Sequence, residues 1–144
     1  MSLAETDAFG RRLASVLFPG AVVALVGPLG AGKTHLVRSI AIGLDASPSL
    51  VSSPTFVLIQ EYDARLPIYH FDAYRLKTEA EFADLGVHEY FEGNGVCLVE
   101  WADKVETCLP RELLTIRIVV TGPESRRLQM TAHGDKYKGM LGSI

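Results

Sequence analysis

Apolar residues in the first third of the chain follow two different periodicities. Within residues 6–18 they fall on one helical face, with Thr6 or Asp7 as the expected N-cap. Residues 21–26 are an uninterrupted apolar run, which is typical of a buried parallel strand. After a glycine-rich stretch, apolar residues recur at four-residue spacing to about Leu44. This part of the chain is therefore expected to form a helix, a strand, a loop and a second helix.

The rest of the chain alternates short apolar runs with turn signals. Residues 56–62 and 68–71 are separated by a turn, so they are expected to pair as an antiparallel hairpin. Thr78 and Glu81 have the spacing of a capping box at the start of a short helix, which Gly86 ends. The remaining predicted elements are a helical piece at 87–91, a strand at 96–99, a short helix at 102–107, and strands at 113–120 and 126–132.

The glycine-rich stretch carries the clearest chemical signal. It reads Gly27-Pro28-Leu29-Gly30-Ala31-Gly32-Lys33-Thr34 and satisfies the pattern G-x-x-x-x-G-K-[ST]. In this pattern the loop amides surround phosphate oxygens, and the following helix adds the positive end of its dipole. Lys33 is expected at the β- and γ-phosphates, and the Thr34 hydroxyl is expected to bind Mg²⁺. The sequence therefore predicts a nucleoside triphosphate site.

The order of the elements around this loop predicts the fold class. A strand, a glycine loop and a helix, followed by further strands and short helices, indicate an α/β protein. We expect a three-layer P-loop NTPase fold with a mixed, mostly parallel sheet and a C-terminal antiparallel strand pair. Residues 1–132 are expected to form a single P-loop ATPase domain. Residues 133–144 are polar and aperiodic, which predicts a frayed tail.

Two acidic residues directly follow apolar strands. Asp72 comes after residues 68–71, and Glu100 comes after residues 96–99. Ligands of open α/β sheets lie outside the carboxyl ends of the strands, so both acids are candidates for the phosphate site. Thr34 and Glu100 are expected near Mg²⁺, whereas Asp72 would bind the metal through water or orient the attacking water. The sequence does not fix which acid has which role, and both could instead be surface acids.

Two weaker signals lie between the loop and Glu100. Ser53-Pro54-Thr55 precedes a strand, so its hydroxyls could reach the γ-phosphate as a nucleotide switch does, or it could be an ordinary loop. His70 and Asp72 have the spacing of two metal ligands on one strand. Two such ligands are weak evidence for zinc.

Composition narrows the class of protein. Of the 144 residues, 48% are hydrophobic and 22% are charged, as in ordinary globular proteins. The formal net charge of −3 argues against a broad basic nucleic-acid face, so the Arg11-Arg12 and Arg126-Arg127 pairs are interpreted as solvated surface. The sequence shows no apolar run of about 18 residues and no secretory signal, which predicts no membrane association. Cys97 and Cys108 fit a reduced, cytoplasmic compartment.

Four further motifs follow the glycine loop in order. They are Ser53-Pro54-Thr55-Phe56, His70-Phe71-Asp72-Ala73-Tyr74-Arg75-Leu76, Leu85-Gly86 with Glu89-Tyr90-Phe91, and Val99-Glu100-Trp101-Ala102. With this succession, the chain resembles the bacterial ATPase family required for threonylcarbamoyladenosine synthesis on tRNA, over about residues 5–131. The resemblance implies a small ATPase that acts on a partner complex, which installs the modification beside the anticodon. The implied partners are the threonylcarbamoyl-transferase subunits, with tRNA contacted only indirectly.

The resemblance also implies roles for individual residues. Lys33 and Thr34 would bind phosphate and Mg²⁺, and Thr55 would belong to a switch-like loop. The functional acids would be the two that end the strands, Asp72 and Glu100. The further positions implied or expected to bind the nucleotide, with ATP as the ligand, are Thr6 on the adenine side, Trp101 beside the nucleotide, and the loop residues Gly27, Leu29, Gly30, Ala31, Gly32 and His35.

The loop departs from the family pattern at two positions. Pro28 stands where the family usually has Asp, and His35 stands where it usually has a second Thr. The hydroxyl of that Thr normally helps to hold the α-phosphate. The backbone N–H of His35 remains available for this contact. Neither change affects Lys33, Thr34 or the two acids.

The sequence therefore predicts a Mg-dependent ATPase that is weak alone and stimulated by its partners. Lys33 is the only cation that a motif places on the phosphates, so slow turnover is expected. A small-molecule P-loop kinase would usually need an Arg-bearing lid, and no Arg-rich insertion follows Glu100. A GTPase would need an Asn-Lys-x-Asp stretch, which the chain lacks. A nucleotide-gated binding module with negligible turnover shares every motif and stays an alternative.

Overall fold

A central six-stranded sheet is covered by helices on both faces. The computed structural model describes residues 2–28, 30–47, 59–74 and 76–144. The strands are β1 (Val22–Val26), β2 (Ile59–Tyr62), β3 (Ile68–Asp72), β4 (Val96–Glu100), β5 (Leu113–Gly122) and β6 (Ser125–His133). The helices are α1 (Leu3–Val16), α2 (Lys33–Gly43), α3 (Glu79–Ala83), α4 (Val87–Phe91), a 3₁₀ helix (Ala102–Cys108) and α5 (Asp135–Leu141). In the described ranges no helix has the length and apolar character needed to cross a membrane.

The strand order is β2-β3-β4-β1-β5-β6. The central strand β1 pairs in parallel with β4 and β5, and β3 pairs in parallel with β4. The outer pairs β2–β3 and β5–β6 are antiparallel. The mixed, mostly parallel sheet, the hairpin and the C-terminal antiparallel pair are thus confirmed. Because β3 runs parallel to β4, the carboxyl ends of these two strands lie at the same edge of the sheet.

Alternating side chains of the strands enter two separate cores. Leu98 of β4 packs on the face that carries α1, α2 and α5, whereas its neighbour Val99 packs on the opposite face. Phe82 of α3 and Val105 of the 3₁₀ helix belong to that second core. A strand whose residues are all buried, such as β4, is expected only where both faces of a sheet are covered. The three-layer arrangement follows from this pattern.

Helix α1 begins earlier than the sequence indicated, so the expected N-cap at Thr6 or Asp7 is wrong. Ser2 is the N-cap: its hydroxyl accepts from the Glu5 amide at 3.2 Å, and the Glu5 carboxylate accepts from the Ser2 amide at 3.1 Å. This reciprocal capping box satisfies two backbone donors of the first turn. Thr6 lies inside the helix, where its hydroxyl donates to the Ser2 carbonyl at 3.0 Å.

The expected frayed tail at residues 133–144 is also wrong. Residues Asp135–Leu141 form α5, whose Tyr137 and Met140 are buried against the core. The Tyr137 hydroxyl oxygen accepts a hydrogen bond from the Val22 amide at 2.8 Å, and its ring lies 5.1 Å from that of Phe18. Two apolar side chains give too weak a periodicity to detect in the sequence. The helix docks on β6 and on residues near the start of β1, such as Val22 and Phe18, and no local pattern indicates these contacts.

Candidate functional site

The loop between β1 and α2 is held close to the neighbouring strand β5. A Cβ atom at Gly27 would lie 2.9 Å from the Ile118 carbonyl oxygen, so only glycine permits this approach. Gly32 has a φ of 105°, in the left-handed region, and forms the N-cap of α2 without a capping side chain. The backbone amides in the first turn of α2 therefore receive no hydrogen-bond acceptor from the side chain of their N-cap residue. Such a helix start is suited to binding an anion.

Lys33 stands at the end of this loop with its side chain almost fully buried. Its Nζ donates to the carbonyls of Gly27 at 2.6 Å and Pro28 at 2.8 Å, and it lies 3.8 Å from the centre of the Trp101 ring. Burial lowers the pKa of the Lys33 ammonium, and the carboxylates of Glu100, Asp103 and Asp72 oppose that shift. The loop thus holds a cation within a group of acidic side chains.

Thr34, the first residue after that lysine, contacts the end of β4. Its hydroxyl donates to the Glu100 carboxylate, at 3.0 Å from Oε1 and 3.2 Å from Oε2. Glu100 is only 3% exposed. The structure therefore brings together the two residues that the sequence predicted to share a metal.

Asp72 lies beside Glu100 because the two residues are aligned in the parallel register of β3 and β4. Its Oδ1 accepts a hydrogen bond from the Tyr74 amide at 2.9 Å. Burial raises the pKa of the Asp72 carboxyl, and the charge of Glu100 acts in the same direction. The strand direction, which the sequence left open, thus places both acids at the same edge of the sheet.

The donor set at this edge fits Mg²⁺. A threonine hydroxyl and carboxylates are hard oxygen ligands, and Mg²⁺ usually takes one or two carboxylates together with substrate phosphates and water. Within residues 2–28, 30–47, 59–74 and 76–144, no three or more His, Cys, Asp or Glu side chains form a metal-binding group. A partial oxygen set is suited to a metal that arrives with a phosphate ligand.

His70 makes a contact that the sequence did not indicate. It is fully buried, and its Nε2 lies 2.5 Å from Glu100 Oε2. This nitrogen therefore faces a carboxylate of β4 and does not form a metal-ligand pair with Asp72. Its Nδ1 lies 3.1 Å from the Tyr62 hydroxyl. The spacing along β3 could not reveal this arrangement, because the partner of His70 belongs to the neighbouring strand.

Trp101 follows Glu100 in a left-handed backbone conformation, with a φ of 58°. This conformation is uncommon for a residue with a bulky side chain and is often found at functional sites. The Trp101 ring lies 4.9 Å from the Tyr74 ring and contacts the Lys33 ammonium. The turn at the end of β4 therefore covers the lysine with an aromatic surface.

A small cavity lies on the other side of the loop. Its volume is about 40 Å³, and its lining residues are Thr6, Ala31, Gly32, His35, Ile118, Arg126 and Leu128. His35 Nε2 lies 2.9 Å from Asp7 Oδ1, so the imidazole of α2 approaches α1 closely. The His35 side chain thus makes a contact between the two helices.

Arg126 also makes a contact that the sequence did not indicate. The expectation that the Arg126-Arg127 pair is solvated surface is wrong for Arg126. Its Nε donates to the Ala31 carbonyl at 2.9 Å, and its Nη2 lies 3.4 Å from the Gly30 carbonyl. This arginine therefore connects the β5–β6 hairpin to the glycine loop. Two predicted site residues, Leu29 and Thr55, lie outside the described residues.

Comparisons with known proteins agree with the motif order. A family model described as threonylcarbamoyl adenosine biosynthesis protein TsaE matches residues 1–128. The chain is 47% identical over 135 residues to the tRNA threonylcarbamoyladenosine biosynthesis protein TsaE of Bacillus subtilis, a match that covers 93% of this chain and 84% of that protein. It is 39% identical over 127 residues to the protein of the same name from Treponema pallidum, with 88% and 93% covered.

The fold comparison finds a solved structure that is similar along the whole chain. A crystal structure of Bacillus subtilis YdiB superposes with a TM-score of 0.83 and 40% identity, covering 99% of this chain and 88% of that one. The resemblance inferred from the four motifs is thus confirmed. Because the family model and these relatives match along most of the sequence, the chain belongs to the TsaE family of threonylcarbamoyl adenosine biosynthesis proteins.

Proposed function

We propose that this chain is a Mg-dependent ATPase. By hydrolysing ATP it would drive the protein complex that forms threonylcarbamoyladenosine on tRNA next to the anticodon. The observation that carries the proposal is the contact of the Thr34 hydroxyl with the Glu100 carboxylate, beside the buried Lys33. The names of the TsaE relatives support the biosynthetic context.

The proposed binding roles follow from the position of each group. The amides of the loop and of the α2 N-terminus would receive phosphate oxygens, and Lys33 would exchange its loop carbonyls for the β- and γ-phosphates. Thr34 and Glu100 would hold Mg²⁺, which supplies charge neutralisation at the phosphates. On the far side of the loop, the His35 amide would contact the α-phosphate, and Thr6 would lie near the adenine side of the nucleotide.

The proposed catalytic roles belong to the acidic edge of the sheet. Asp72, aligned with Glu100, would orient the attacking water or hold a water bound to the metal. Trp101 would cover the triphosphate from the turn after β4. Thr55, outside the described residues, is proposed to reach the γ-phosphate from a switch-like loop. In this arrangement the residues act by positioning and by electrostatic stabilisation.

Nucleotide binding can be tested by thermal unfolding with and without Mg·ATP. Wild type should be stabilised by the ligand, because a molecule that binds only the folded state raises its stability. Lys33→Ala should lose this stabilisation, whereas Lys138→Ala, an exposed lysine on α5, should retain it. Equal stabilisation of Lys33→Ala and wild type by Mg·ATP would contradict the proposed site.

A further inference from the structure

The His70 side chain joins two strands beside the proposed metal site. His70 lies opposite Leu98 in the β3–β4 register and is therefore the diagonal neighbour of Glu100. Both ring nitrogens have partners: Nε2 is 2.5 Å from Glu100 Oε2, and Nδ1 is 3.1 Å from the Tyr62 hydroxyl. All three side chains are buried, at 0% exposure for His70, 3% for Glu100 and 4% for Tyr62.

We propose that His70 is a positioning residue for the Glu100 carboxylate. A proton on Nε2 donates to Oε2, while the Thr34 hydroxyl contacts the carboxylate from α2. The carboxylate is then fixed from two directions, with its plane set for the metal. This inference rests on the proposed function, because it assigns Glu100 to the binding of Mg²⁺.

A second contact is needed because the last torsion of a glutamate side chain is broad and poorly fixed by its own rotamer preferences. With Thr34 alone, the carboxylate could rotate about that torsion and present either oxygen. Partners beyond the ligands commonly orient metal-binding side chains, and their loss typically costs about 10–100-fold in metal affinity. His70 is placed to supply such a contact from the neighbouring strand.

Tyr62 orients the imidazole in turn. Its hydroxyl lies 3.1 Å from Nδ1 and also contacts the Gln60 side chain, so the polar chain extends from β4 through β3 to β2. This chain fixes which ring nitrogen faces Glu100.

The test measures the Mg²⁺ dependence of ATP binding rather than hydrolysis. ATP is titrated calorimetrically into wild type, His70→Gln and His70→Asn, first in EDTA and then over a range of Mg²⁺ concentrations. Gln places its amide nitrogen near the position of Nε2 and can still donate to Glu100. Asn is one methylene shorter and places its amide near Nδ1. Both substitutions remove the ring, so a purely structural role would affect them alike.

We expect binding in EDTA to stay within about twofold of wild type for both variants. The Mg²⁺ concentration needed for half-maximal binding should rise about 10–100-fold for His70→Asn and only a few-fold for His70→Gln. Tyr62→Phe, which keeps the Nε2 contact, should resemble His70→Gln. If one His70 variant does not fold, the folded one is compared with Tyr62→Phe and wild type in the same titration.

Equal Mg²⁺ dependence in wild type and His70→Asn would overturn the positioning role, as would equal shifts in His70→Asn and His70→Gln. Where only His70→Gln folds, a shift of 10-fold or more with Tyr62→Phe unchanged would also overturn it. A wild-type chain that binds ATP no better with Mg²⁺ than in EDTA would instead contradict the proposed function. The two failures are therefore distinguishable in one set of titrations.

Discussion

The Thr34 hydroxyl and the Glu100 carboxylate lie 3.0 Å apart although 66 positions separate them in the chain. Thr34 belongs to the first turn of α2, and Glu100 is the last residue of β4. They meet because β4 is the parallel neighbour of β1, the strand that leads into the glycine loop. The topology of the sheet therefore brings this hydroxyl and this carboxylate together beside the glycine loop.

Thr34→Val should weaken the effect of Mg²⁺ on ATP binding by about tenfold or more, because valine keeps the shape and removes the hydroxyl. Thr34→Ser keeps the hydroxyl and should remain close to wild type. The measurement is calorimetric ATP binding in Mg²⁺ and in EDTA, and the EDTA values should agree among the three proteins. If Thr34→Val responds to Mg²⁺ as Thr34→Ser does, the hydroxyl is not a metal ligand.

The sequence predicted those parts of the site that depend on local pattern. The apolar strand, the glycine loop and the helix beginning at Lys33 are contiguous, and Glu100 directly follows an apolar run. Each of these features is determined by a few neighbouring residues and by the periodicity of one element. A mixed, mostly parallel sheet with a C-terminal antiparallel pair was also predicted, although the order of its strands was not.

The contacts that the sequence missed depend on which elements become neighbours. His70 reaches Glu100 only because β3 lies parallel to β4, and Arg126 reaches Ala31 only because the β5–β6 hairpin ends beside the loop. The α5 helix docks through Tyr137 on a surface formed by the start of β1. A single sequence carries no periodic signal for such pairings, so they required the three-dimensional structure.

Tyr137→Phe should lower the free energy of unfolding by about 1–3 kcal/mol. The substitution removes the hydroxyl oxygen that accepts from the buried Val22 amide, and an unsatisfied buried donor has about this cost. Urea denaturation measures the change, with Tyr74→Phe as the control because Tyr74 is 45% exposed. Unchanged stability in Tyr137→Phe would show that α5 does not dock through this hydrogen bond.

The same tyrosine predicts a pH dependence. Burial raises the pKa of the Tyr137 phenol above its ordinary value of 10.0, so the folded protein retains this proton more strongly than the unfolded chain. The contribution of the protonated Tyr137 to the free energy of unfolding is complete below about pH 10. It should decrease as the pH rises through the pKa of Tyr137 in the folded protein. Above about pH 10, the free energy of unfolding should therefore fall less in Tyr137→Phe than in wild type. Parallel pH profiles for the two proteins would contradict this prediction.

The two cysteines should differ in reactivity. Burial raises the pKa of the Cys97 thiol to about 12, so at pH 8 only about one molecule in 10⁴ carries the reactive thiolate. Cys108 is half-buried. A thiol reagent such as iodoacetamide should label Cys108 in the native protein and Cys97 only after denaturation. In Cys108→Ser, rapid labelling of the native chain would show that Cys97 is accessible.

The two acids should matter more for turnover than for binding. Asp72→Asn and Glu100→Gln should each lower the rate of ATP hydrolysis about tenfold or more, and by a larger factor than they change nucleotide affinity. Their carboxylates act where charge develops around the metal and the γ-phosphate. The comparison requires steady-state hydrolysis and calorimetric affinity for the same preparations. Unchanged turnover in both variants would show that neither carboxylate takes part in hydrolysis.

The most direct test of the central claim is steady-state phosphate release from ATP by the chain alone and with the threonylcarbamoyl-transferase subunits of its own organism. We expect the chain without the subunits to hydrolyse ATP slowly, because Lys33 is the only cation that a motif assigns to the phosphates. In P-loop enzymes an added arginine raises the rate about 10³–10⁵-fold. The subunits should raise the rate, and Glu100→Gln should abolish the increase. Partner stimulation would be contradicted if the chain alone turned over at about 1–100 s⁻¹ and the subunits did not change this rate. The ATPase activity itself would be contradicted if ATP were not hydrolysed in either condition.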